Sequence, residues 1–155
     1  MKSPPSTGAG RRRLVASVSV ALAIVACSSG CTSAGSDVTA EEARDALYDT
    51  LDETQQILGG TFDNQDDPTA RGCALALWSE GNHFPALRLG AAPADTGRAV
   101  DAVSDYWTGI GYELTTATVG AVVEVQGMSD LGATLILRVS ADATTLQGES
   151  ACRPS

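Results

Sequence analysis

The chain has 155 residues, of which 43% are apolar, 19% charged and 5% aromatic, with a mean hydropathy of +0.01. Those values describe one small globular domain and exclude a multidomain enzyme or a mainly disordered chain. The charge is uneven. Lys2, Arg11, Arg12 and Arg13 all precede residue 27 and no acid does, so a chain without that segment keeps six Arg against 19 acids, about −13. A surface that acidic repels phosphate backbones and argues against nucleic-acid binding.

From residue 11 the chain runs through a basic cluster, an uncharged stretch from Leu14 to Ala26, and then Cys27. This is the layout of a signal peptide over residues 1–26. At about 1.5 Å per residue the apolar stretch reaches only about 20 Å, short of the roughly 30 Å needed to span a membrane. Ile24-Val25-Ala26-Cys27 resembles a bacterial lipobox, where the signal is cut before a cysteine that carries a diacylglyceryl thioether. Small side chains admit the peptidase, and only Cys supplies a thiol to alkylate. Cys31, preceded by Gly30, competes with Cys27: its lipidation would leave Cys73 and Cys152 as a single pair, whereas lipidation at Cys27 leaves Cys31 as a spare thiol. Cys27 is favoured because the hydrophobic segment ends directly against it. Arg11-Arg12 also resembles a twin-arginine signal, so both the general and the twin-arginine export routes stay open.

Residues 27–38 are mostly Ser, Gly, Thr and Ala, the composition of a flexible tether. The globular domain is expected over 39–155. Thr39 with Glu42 forms a capping box, and Ala43, Leu47, Leu51 and Leu58 recur at helical spacing until Gly59-Gly60 stops the helix. The opposite face, with Asp45, Asp49, Asp52 and Glu53, reads as solvated. Thr61 to Thr69 holds Asp63, Asp66 and Asp67 but fails as a calcium loop, because Gln65, Pro68 and Ala74 stand where ligands and the obligatory Gly belong. It reads as a plain polar loop.

Cys73 to Trp78 is apolar throughout and predicts a strand buried on both faces. Phe84 to Leu89 predicts a second strand, placed by Pro85 at a sheet edge or bulge. Asp95 or Thr96 caps a second helix whose Ala99, Val100, Val103, Trp107 and Ile110 share a face, ended by Gly109 and Gly111. Four β runs follow: Tyr112 to Ala117, Ala121 to Gln126, Ala133 to Ser140 and Thr145 to Cys152. In the third, Leu135, Leu137 and Val139 oppose Thr134, Arg138 and Ser140. The order predicts an α+β two-layer sandwich, with two helices packed on one face of an antiparallel sheet of four to six strands.

An exported chain meets an oxidising environment, so Cys73 and Cys152 are expected to form a disulfide. Closing a loop of that length restricts the unfolded chain by about 4.5 kcal/mol. The lipobox, the segment Trp107 to Tyr112 and the closing Leu146 to Cys152 together resemble the small lipoproteins of the actinobacterial cell envelope. That resemblance implies an envelope location, a disulfide and an α+β domain, and it carries over no catalytic residue.

Chemistry is sparse. His83 is the single histidine, no G-x-S-x-G elbow presents a nucleophile, and His83 reads as a solvated residue of a Gly-Asn turn. A zinc site would need cysteines already assigned to the staple and the anchor. Gly109-x-Gly111 lacks the third glycine of a dinucleotide loop. Trp78 and Trp107 lie on apolar faces and read as core. No catalytic, cofactor or metal residue is expected. The sequence therefore reads as a non-enzymatic lipoprotein, anchored by lipid to the outer face of the cell membrane, that binds an envelope partner protein or a small ligand. The alternatives are a carrier of a small apolar molecule or lipid, held between helices and sheet, and a cell-envelope hydrolase.

Overall fold

A computed structural model describes residues 38–154. The expected signal peptide, the tether up to residue 37 and the candidate lipidation sites Cys27 and Cys31 lie outside them. Helix α1 spans Ala40–Leu58, opened by the expected reciprocal cap: Glu42 N–H donates to Thr39 Oγ1, and Thr39 N–H donates to Glu42 Oε2 at 2.8 Å. Gly59 ends it. Helix α2 spans Thr96–Gly109, and its N-cap Asp95 accepts from the Arg98 N–H. The strands are β1 (Phe62–Asn64), β2 (Arg71–Ala74), β3 (Glu80–His83), β4 (Pro85–Ala91), β5 (Tyr112–Val119), β6 (Val122–Ser129), β7 (Thr134–Val139), β8 (Ala143–Glu149) and β9 (Arg153–Pro154).

Six strands form one antiparallel sheet in the order β1-β4-β8-β7-β6-β5, and β2-β3-β9 form a smaller one. Both helices pack on the same face of the large sheet, as the order of elements predicts. Leu135, Leu137 and Val139 of β7, Val125 of β6 and Leu146 of β8 meet Leu47, Leu51, Val103 and Trp107 of the helices, and most of these side chains are wholly buried. Trp107 Nε1–H donates to Thr54 Oγ1 at 3.0 Å, and the Thr54 hydroxyl donates to Thr50 O at 2.7 Å, so the indole is satisfied inside the core and ties α2 to α1. Gly148 sits under α1. A Cβ there would stand 2.7 Å from Leu47 Cδ1, so the absent side chain sets the helix–sheet distance.

The most consequential polar group on this face is Arg88 of β4, whose side chain is 2% exposed. Its guanidinium grips Asp66 with two nitrogens, at 2.8 and 3.3 Å, and reaches Asp52 and Gln55 of α1 with the third. Burial opposes the Arg88 charge, but the bonds to Asp66 and Asp52 outweigh it and raise the pKa. Asp52, expected on a merely solvated helix face, is thus an ion-pair partner.

Three sequence expectations are corrected. Cys73 to Trp78 is not a doubly buried strand: β2 ends at Ala74 and Ala76–Trp78 forms a 3₁₀ turn. The β2–β3 register, Ala74 with Glu80, forces the chain to reverse there, and Leu75 N–H donates to Ser79 O at 2.9 Å. Leu77 stands at the tip, 96% exposed with a φ of 61°. Thr61 to Thr69 is not a plain loop, since Phe62–Asn64 adds to β4 as an edge strand. That addition makes β4 internal, between β1 and β8, and Pro85 is tolerated as its first residue, beyond the reach of β1.

Cys73 of β2 and Cys152, just before β9, are joined by a disulfide with Cα atoms 6.1 Å apart. It ties the C-terminus to the small sheet. Gly81, opposite Cys73, makes the fit possible, because a Cβ there would lie 2.5 Å from Arg153 O. The last predicted run divides accordingly into β8 and, past the disulfide, β9.

Two stability outcomes follow from this packing. Arg88→Met should cost about 3 kcal/mol in denaturant unfolding, because Asp66 loses the cation that faces it, and Arg88→Lys should recover only part, since an ammonium cannot fork between two carboxylates. Gly148→Ala should cost about 1–3 kcal/mol with an unchanged m-value, from Leu47 being pushed out of its place.

Candidate functional site

The helices cover one face of the large sheet and leave the other open. On the open face the register aligns side chains in rows across the strands. One row holds Pro85, Glu149, Thr134, Met128 and Glu113, and the next holds Leu87, Gln147, Ile136, Gln126 and Thr115. Alternation creates this face: Leu135, Leu137 and Val139 point to the helices, so Thr134, Ile136 and Arg138 must point away. The segment after β1 rises beside it as a wall. Gln65 N–H donates to Leu87 O at 2.7 Å and Asp67 N–H to Pro85 O at 3.3 Å, which keeps this segment against β4.

Floor and wall enclose a groove of about 580 Å³. Leu87 and Ile136 give it an apolar floor and Met128 an apolar margin; Gln126, Gln147, Thr115 and Thr134 supply amides and hydroxyls; Asp67, Arg71, Glu113 and Glu149 stand around it. Three carboxylates against one guanidinium leave the lining acidic. An apolar floor with a few polar groups is the usual make-up of a ligand site.

The polar groups are held in place. Gln126 Nε2 donates to Glu124 Oε1 at 2.6 Å, Arg138 Nε donates to Glu124 Oε2, and Arg138 donates onward to Gln147 Oε1 at 2.6 Å. This chain crosses β6, β7 and β8 and spends the Gln147 oxygen and one Gln126 N–H, leaving Gln147 Nε2 and Gln126 Oε1 for a ligand among the described residues. The bonds from Gln126 and from Arg138 hold the Glu124 carboxyl below its ordinary range. Asp67 is held below its range first by the Thr69 N–H at 2.9 Å, then by the Thr69 side chain and by Arg71 at 3.3 Å.

The sequence-derived candidates fall elsewhere. His83 is half-buried in β3 opposite Arg71, not in a solvated turn, because the small sheet recruits that segment. Trp107 is core, and Trp78 closes the 3₁₀ turn. Among the described residues no three of His, Cys, Asp and Glu converge as a metal site would require. The space between helices and sheet, where a carried molecule was envisaged, is occupied by the wholly buried side chains of the core. The groove residues were missed. Ile136, an apolar side chain at an outward position of a clean alternation, was the available signal.

No family model matches the chain, and no curated protein does. Among solved structures, the chain is similar in fold to a DUF4853 family protein from Actinomyces odontolyticus, with a TM-score of 0.58 and 14% identity over 76% of this chain and 70% of that one.

The lowered carboxyls set a direction for acid stability. Groups whose folded pKa is depressed stabilise above their unfolded pKa and lose that contribution as pH falls through the folded value. Stability should therefore hold from neutral pH to about 5 and decline below about 4. In Glu124→Gln with Asp67→Asn the decline should be shallower, measured by urea unfolding at stepped pH.

Proposed function

We propose that the chain is an exported lipoprotein of the cell envelope, anchored through Cys27, that acts by binding through the open face of its sheet rather than by catalysis. The groove carries the reading: a recess of about 580 Å³ whose amides are oriented by a hydrogen-bonded chain, set on rigid strands on the face away from the helices. The sequence before residue 38, with its basic cluster, apolar stretch and cysteine, supports the address. The disulfide supports an oxidising compartment. The fold likeness to a protein from Actinomyces is consistent with the actinobacterial families that the sequence resembles. The acidic lining favours cationic or hydroxyl-rich partners.

Both halves of this reading are open to test in the host. Cys27→Ala should abolish the lipid mass increment and release the protein into the medium, whereas Cys31→Ala should leave both unchanged; the reverse pattern would move the anchor to Cys31. A photo-crosslinking residue at Thr134 should give an adduct of discrete mass that Ile136→Arg removes, while the same probe at Asp49 on the helix face should give none. Equal crosslinking at the two positions, or none at Thr134, would overturn the groove.

A further inference from the structure

The two edges of the large sheet are finished differently. At one edge the chain from Phe62 to Asp67 lies along β4, is short as a strand, carries Asp63, Asp66 and Asp67, and runs into Pro68. Charge, brevity and proline are the usual protections of an edge. The other edge is β5, eight residues long and hydrogen-bonded, among the described residues, to β6 on one side alone. Its register runs without interruption from Tyr112 opposite Ser129 to Val119 opposite Val122, so no bulge turns it away. Between Glu113 and Glu124 there is neither a charged residue nor a proline. Thr115, Thr116, Ala117, Thr118 and Val119 are all exposed, Val119 by 71%. The outer N–H and C=O groups of this strand therefore face water along a straight edge that is uncharged and mostly β-branched beyond Glu113.

We propose that β5 is a strand-addition site for an extended segment of a partner protein, with Lys or Arg set against Glu113 and small or β-branched residues along Thr115 to Val119. The inference rests on reading this domain as a binding module and names its partner. The occupant follows from charge. Glu113 opens the edge and belongs to the groove as well, where, among the described residues, Asp67 and Glu149 add negative charge against Arg71. A second copy of the chain would bring Glu113 and the same acidic excess to the contact, whereas a basic segment is drawn to it. The edge supplies main-chain hydrogen bonds, and alternate side chains of the added strand supply selectivity. Those on the groove side continue the rows of Glu113 and Thr115, so groove and edge form one surface.

The test uses the full-length protein in lipid nanodiscs and short, fluorescently labelled peptides of alternating threonine and valine, ended by lysine or by glutamate. The lysine peptide should bind saturably and about tenfold more tightly than the glutamate peptide, with the order reversed by Glu113→Lys. Circular dichroism should show that this exposed substitution leaves the fold intact. Methylating one alternate set of peptide amides should weaken binding by about tenfold or more, and methylating the other set should not, because only alternate N–H groups of an added strand face β5. Equal tolerance of both methylated sets would overturn strand addition, as would failure of the lysine peptide to bind. The Thr134 crosslink is independent of these results, so its persistence would keep the groove reading while this one fell. A dimer in sedimentation that Ala117→Lys dissociates would also overturn the proposal, assigning the edge to a second copy.

Discussion

The buried guanidinium of Arg88 holds together three segments that are distant in sequence. It lies on β4, grips Asp66 with two nitrogens, and meets Asp52 and Gln55 of α1 with the third. A cation at 2% exposure is tolerable only when its donors are matched in this way. The consequence extends through the sheet. Asp66 faces inward to Arg88, so Asp67, next in the chain, faces the other side and joins Arg71 and the groove wall. Tyr48 of α1 donates to Asp67 O at 3.4 Å, adding a second tie between helix and wall. One ion-pair cluster on the covered face thereby places the wall of the open face.

The two faces are finished by opposite means. On the covered side, Gly148 brings α1 close and the indole of Trp107 is satisfied by Thr54, so the layer closes without a polar group left over in that pair. On the open side the hydrogen-bonded chain from Gln126 through Glu124 and Arg138 to Gln147 does not close on itself, and the two glutamines at its ends line the groove. A sheet of this kind can be rigid and receptive together, because the rigidity comes from the other face. The disulfide adds a restraint at the small sheet, joining two cysteines 79 positions apart in the chain.

Legibility in the sequence tracked the range of the interaction. The capping box at Thr39, the N-cap Asp95, the apolar stripes of both helices and the alternation of β7 were all readable, since each depends on neighbours two to four residues away. Cys73 to Trp78 misled because an unbroken apolar run carries no information about reversal, and the turn exists only because β2 pairs with β3. Phe62–Asn64 misled for the converse reason: a polar segment became a strand because β4 offered it an edge.

By itself the sequence determined the two amphipathic helices with their caps, the α+β class, the pairing partner for Cys73 within the globular domain, and the acidic character of the surface. Tertiary structure alone decided that Arg88 would be buried, that Ile136 would line a groove, and that β5 would be left at an edge. The physical reason is that periodicity marks which side chains of an element share a face, while the choice of which face is covered, and which strand is last, belongs to contacts between residues tens of positions apart.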